Sequence, residues 1–189
     1  NIFTWGENGL EKSALSSGLE AYRGWWWSID LADVNNDGQL DLLLGNMGEN
    51  TKFHVSNKKP LRVYAKDFDE NGSNDVVLSK PYKDEFVPVR GRECSSEQMP
   101  FVKEKFADYK SFSEANIQEV LGAGIDDALF LEVNEFRSGI AYRDGSGWRF
   151  EALPALAQVS PLKSIISRAL HGVGRLDFVV AGNHLGPGV

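Results

Sequence analysis

Between residues 22 and 90, short runs of β-branched, aromatic and leucine residues alternate with clusters of Asn, Asp and Gly, the pattern of strands joined by tight turns. It predicts strands at Trp25–Leu31, Leu40–Leu44, Leu61–Ala65, Asp75–Ser79 and Glu85–Val89. From Ser95 to Leu121 glycines become scarce, and Val102, Phe106, Tyr109 and Phe112 recur at helical intervals. Two short helices are predicted there, with Pro100 opening the first and Ser113-Glu114 near the start of the second. Strand patterns return at Ala128–Val133, Gly139–Arg143 and Trp148–Ala152, the last two joined by a hairpin turn, Asp144-Gly145-Ser146-Gly147. Residues 162–168 and 176–181 complete a mainly β chain.

The turn clusters repeat. DVNNDGQLD (33–41) aligns with DFDENGSND (67–75) at an offset of 34 residues, matching the charged or amide positions one, three, five and nine and the glycine at six. Apolar strands flank both. A third copy, ALHGVGRLD (169–177), keeps the last Asp and is followed by FVVAGN, as LLLGN follows the first copy. Its positions one, three and five are Ala169, His171 and Val173, so no cation is expected there.

A hard cation takes six to eight oxygens, and a D-x-[DN]-x-[DN]-G loop supplies them from one turn. The candidate ligands are Asp33, Asn35, Asp37, the carbonyl of Gln39 and Asp41 in loop one. In loop two they are Asp67, Asp69, Asn71, the carbonyl of Ser73 and Asp75. Each candidate ligand set carries three carboxylates, which repel one another unless a cation neutralises them. An EF-hand would place a bidentate Glu at position twelve, where this chain has Leu44 and Leu78, so the carboxylate at position nine must serve instead. Asx-rich turns without a metal use the same residues. Two loops in register favour the metal, calcium ahead of magnesium or sodium, with two ions per chain.

Charge and composition narrow the function. A net charge of −7 and a pI near 5.0 argue against nucleic acid or an acidic membrane as partner. No apolar run is long enough to insert in a membrane, and the first residues lack the order of a signal peptide. The single cysteine, Cys94, rules out an internal disulfide, and nothing in the sequence sets His54, His171 or His184 beside it as a base. No established catalytic signature occurs, so an enzyme is not expected. Trp25, Trp26 and Trp27 either fill the core or form a sugar-stacking platform, with the core favoured. Arg90-Gly91-Arg92-Glu93 reads as a solvated or ion-paired linker, and His171 as a turn residue.

Taken together, GWWWSIDLADVNNDGQLDLLLGN, DFDENGSND, SGIAYRDGSGWRFEALP and GRLDFVVAGN resemble the FG-GAP/VCBS repeat family, whose repeats also occur in proteins related to the ASPIC/UnbV group. The resemblance covers most of residues 20–184, with 95–121 as an insertion. It implies four-stranded β-propeller blades, calcium held in hairpin loops, and a role in extracellular, cell-surface or periplasmic binding or adhesion to a protein or glycan. Carried onto this chain, the metal role falls on Asp33, Asn35, Asp37, Asp41, Asp67, Asp69, Asn71 and Asp75. The expected organisation is one domain: β-repeats over 1–94, a helical insertion over 95–123 and further repeats over 124–189. About three repeats are too few to close a propeller alone. A longer parent chain, completion by a homo-oligomer, or a smaller β arrangement each answers this, and the tail GNHLGPGV favours the first two. A carbohydrate-binding domain and a structural oligomeric scaffold are the alternatives.

Overall fold

A computed structural model of the chain describes residues 1–145, 147–172 and 176–182. Ser146 of the predicted hairpin turn, Val173–Arg175 of the third loop, and the tail from Asn183 onward with His184 lie outside the described residues. In chain order the strands begin β1 (Phe3–Gly6), β2 (Gly9–Lys12), β3 (Ser28–Ala32), β4 (Asp41–Gly45), β5 (Leu61–Lys66), β6 (Asp75–Tyr82) and β7 (Glu85–Pro88). Four helices follow: α1 (Arg92–Gln98), α2 (Phe101–Lys105), α3 (Tyr109–Glu114) and α4 (Ile117–Leu121). The chain ends with β8 (Leu129–Val133), β9 (Gly139–Asp144), β10 (Gly147–Ala152), β11 (Leu162–Arg168) and β12 (Asp177–Gly182). None of the helices is long and apolar enough to cross a membrane.

The chain divides into two compact units, Asn1–His54 with Glu135–Val189, and Val55–Asn134. In the first, β10-β9-β4-β3 form one antiparallel sheet, and β1-β2 and β11-β12 form two-stranded sheets. Alternation along β4 sends Leu43 to one face and Leu42 and Leu44 to the other. Leu43 is fully buried with Ala32, Ile140 and Ile165 in this unit's core. Strand β11 is tied to β3 through Asp30 Oδ2, which accepts from the backbone N–H and the hydroxyl of Ser167 at 2.7 and 2.9 Å.

The second unit has one antiparallel sheet, β7-β6-β5-β8, covered on one face by the helices. Tyr64 and Val77 face each other across β5 and β6 and are buried with Met99, Val102, Phe106, Phe112 and Val120. The expected two helices are four, because Asp108 caps α3 through the N–H of Ser111 and Asn116 and Glu119 form a capping box on α4. Each cap starts a new short helix.

The expected propeller-like blades are not what this chain builds. Its fold is mixed α/β, with four small open sheets among the described residues and helices layered on one of them. Among the described residues no sheet closes on itself. The physical reason lies in long-range pairing: Leu42 of β4 faces Ala141 of β9, so the first unit's main sheet is completed by strands from the far side of the helical segment. Likewise β8 joins β5 only after all four helices. Local repeats set the hairpins but not the order in which distant strands add to them.

Some element boundaries also differ. Strand β3 begins at Ser28, leaving Trp25–Trp27 as an extended approach tied to β4 by the Trp27 N–H and the Gly45 carbonyl at 2.8 Å. The β1-β2 hairpin precedes the region where sequence alternation is clear.

Candidate metal centre

Both acidic loops connect consecutive antiparallel strands, loop one joining β3 to β4 and loop two β5 to β6. They share one internal hydrogen-bond scheme. At position one, the two oxygens of Asp33 accept the N–H groups of Asp37 and Gly38 at 3.0 and 2.9 Å. Asp67 takes those of Asn71 and Gly72 at 3.0 and 2.8 Å. At position seven, the N–H of Gln39 reaches Asp37 Oδ1 and that of Ser73 reaches Asn71 Oδ1, both at 2.8 Å. The bend needs left-handed backbone at positions four and six: Asn36 and Glu70 have φ of 58° and 59°, Gly38 and Gly72 of 84° and 90°. A Cβ on either glycine would meet nothing within 4 Å, so conformation rather than space selects glycine.

Positions three and five pair an amide with a carboxylate, and the two loops exchange the residue types. Asn35 Nδ2 donates to Asp37 Oδ2 at 2.8 Å in loop one; Asn71 Nδ2 donates to Asp69 Oδ2 at 3.0 Å in loop two. The exchange changes the chemistry. In loop two the carboxylate at position three joins those at one and nine, and Asp67, Asp69 and Asp75 each offer an oxygen within 4.8 Å of the others. Three carboxylates so placed can hold one metal ion through oxygen, the donor type that hard cations take. In loop one Asn35 fills position three, so only Asp33 and Asp41 bring carboxylates to the matching places.

Position nine is a structural joint as well as a candidate ligand. Asp41 is fully buried; its Oδ2 accepts the N–H of Val34 at 3.0 Å and its Oδ1 that of Arg143, on β9, at 2.8 Å. Asp75 is buried too and accepts the N–H of Phe68 at 3.0 Å. The degenerate third loop keeps this anchor: Asp177 Oδ2 accepts the N–H groups of Leu170 and His171 at 3.0 and 3.1 Å. At position three of that loop, the imidazole Nδ1 of His171 lies 2.8 Å from Asp177 Oδ1.

Sequence reasoning missed a buried cation. Arg92, expected in a solvated or ion-paired linker, pairs with Glu93 at 3.3 Å but is only 7% exposed, and its guanidinium also donates to the carbonyls of Phe106, Lys103 and Ala107 at the end of α2. An Arg in a polar, charged tetrapeptide carries no sequence signal for burial. The three tryptophans do not form a single platform. Trp25 packs on Phe136 at 5.1 Å between centroids, Trp26 stands edge-on to Phe150 at 6.2 Å, and Trp27 lies under the Lys163 ammonium at 3.8 Å. Cys94 is exposed on α1.

The geometry defines strand-to-strand acidic loops, one of them with three converging carboxylates. Comparison with known families agrees with this class: residues 25–58, which include all of loop one, match the FG-GAP repeat. The matched motif is a repeat rather than a catalytic signature. No curated protein and no solved structure matches the chain.

Proposed function

We propose that the chain is a calcium-binding repeat module whose ions are structural and whose role is extracellular recognition or adhesion. The observation that carries this reading is the common scheme of the two loops, in which the same positions hold oxygen donors and the same backbone N–H groups hold the donors in place. Loop two, with Asp67, Asp69, Asn71, Asp75 and the Ser73 carbonyl, is the stronger site. Loop one offers Asp33, Asn35, Asp37, Asp41 and the Gln39 carbonyl, and takes a second ion more weakly. Bound calcium would neutralise the carboxylates and stiffen the hairpin ends, and FG-GAP/VCBS-type repetition would extend from the matched span to all three loops. Catalysis has no place in this reading.

An ion that binds only the folded loops adds RT ln(1 + [L]/Kd) to stability. Thermal melts in calcium and in chelator test the proposal, together with metal analysis of the purified protein. A higher Tm in calcium and up to two ions per chain are expected; equal Tm values would refute it. Light scattering distinguishes a monomeric binder from an oligomeric scaffold.

A further inference from the structure

We propose that the first unit contains a second, separate ligand site, a cavity that takes a small organic anion bearing one or two fused apolar rings. The cavity has a volume of about 350 Å³, within the range of roughly 300–1,000 Å³ typical of small-molecule sites. Its floor is the non-core face of the main sheet. Leu42 and Leu44 supply the aliphatic surface there, opposite to Leu43 on the same strand. Its walls are aromatic: Phe150 is braced by Tyr22 at 4.9 Å and by Trp26 at 6.2 Å between ring centroids. Gly139 makes room for that arrangement, since a Cβ there would stand 2.3 Å from the Phe150 ring. Trp27 and Ile29 form the rim and are 49% and 63% exposed.

The charge at the rim selects the ligand. No charged side chain among the described residues lines the cavity. Lys163 is not itself a lining residue; its ammonium lies 3.8 Å from the centroid of the Trp27 ring at the rim, and no carboxylate pairs with it among the described residues. A cation held over an indole keeps its full charge available to an anion at the edge of the ring. A ring entering between Phe150 and Trp27 would bring a carboxylate or sulfonate substituent to Lys163.

Calorimetric titration with 2-naphthoate tests the proposal, and it does not depend on the cation loops, so it can be run in chelator. Saturable one-to-one binding is expected. Lys163→Gln should weaken 2-naphthoate by about fivefold, the scale of one partly exposed ion pair, while leaving the neutral 2-naphthylmethanol unchanged. Ile29→Trp, at an exposed rim position where folding tolerates substitution, should abolish binding of both probes with an unaltered circular dichroism spectrum. The proposal is overturned if 2-naphthoate does not saturate, if Ile29→Trp binds it as tightly as the parent, if Lys163→Gln leaves its affinity unchanged, or if neutral oligosaccharides bind more tightly than 2-naphthoate.

Discussion

Asp177 accepts the backbone N–H of Leu170 at 3.0 Å, and the same bond, between positions nine and two, joins Asp41 to Val34 and Asp75 to Phe68 at the same distance. The ninth-position carboxylate is therefore first a turn lock, and a candidate metal ligand only where positions one, three and five also bring oxygen. In the third loop the neighbouring imidazole of His171, and then the N–H groups of Leu170 and His171, hold the Asp177 carboxyl below its ordinary pKa.

The lock predicts a loss of stability that calcium does not explain. Asp41→Ala would leave the part-buried N–H groups of Val34 and Arg143 without an acceptor. Each such orphan costs about 1–3 kcal/mol, so urea denaturation in chelator should show a destabilisation of that order or more. Asp37→Ala, in the exposed part of the loop, should be close to neutral under the same conditions. Equal effects of the two substitutions in chelator would argue that Asp41 acts only through a metal.

The exchange of amide and carboxylate between the loops predicts unequal affinities. Asp69→Asn removes one of the three converging carboxylates and should weaken calcium binding at loop two by tenfold or more. Asn35→Asp would supply loop one with the carboxylate it lacks at position three and should tighten that site. Two-site calorimetry on the parent and both variants measures this. If Asn35→Asp leaves binding unchanged, position three does not set the order of the sites.

Both loops were legible in the sequence because most of their chemistry is local: the side-chain hydrogen bonds of Asp33, Asn35 and Asp37 all fall within residues 33–39. The hairpins β3-β4 and β5-β6 were legible for the same reason. The way the sheets are completed was not. Nothing near Leu42 signals that Ala141 will lie beside it, and a repeat pattern invites the assumption that neighbours in sequence are neighbours in the sheet. The helical texture of Ser95–Leu121 was visible, but the caps at Asp108 and Asn116 cut it more finely than periodicity alone could show. The aromatic cavity was partly hidden because each of the three consecutive tryptophans finds a different partner.

Asp30 predicts a pH dependence. Burial opposes its ionisation, but the N–H and hydroxyl of Ser167, with the N–H of Leu31, outweigh it and hold the carboxyl below its usual value. A carboxyl whose folded pKa is depressed gives stability that is present above its unfolded pKa, about 3.9, and is lost as the pH falls through the folded value. Acid titration of stability in chelator should therefore show a steeper loss below about pH 4 for the parent than for Asp30→Asn. Parallel curves would mean that the bond between β3 and β11 carries no charge-dependent stability.

Asn46 gives the last prediction. It follows β4 directly, is fully buried, and uses all of its polar groups. Its Nδ2 donates to the carbonyls of Glu135 and Arg137 at 2.9 and 3.3 Å, and its Oδ1 accepts the N–H of Met47 at 2.8 Å. Its backbone N–H donates to Ser138 Oγ, and its carbonyl accepts the N–H of Leu162, both at 2.9 Å. One side chain thus joins the end of β4 to the approach to β9, the long-range pairing that the sequence pattern does not announce. Asn46→Ala would strip the buried Glu135 carbonyl and the part-buried Arg137 carbonyl of their donor and the Met47 N–H of its acceptor. We expect a loss of about 2–4 kcal/mol in urea denaturation, against less than about 0.5 kcal/mol for the exposed control Asn50→Ala. A variant at Asn46 as stable as that control would show that β4 and β9 are held together without this amide.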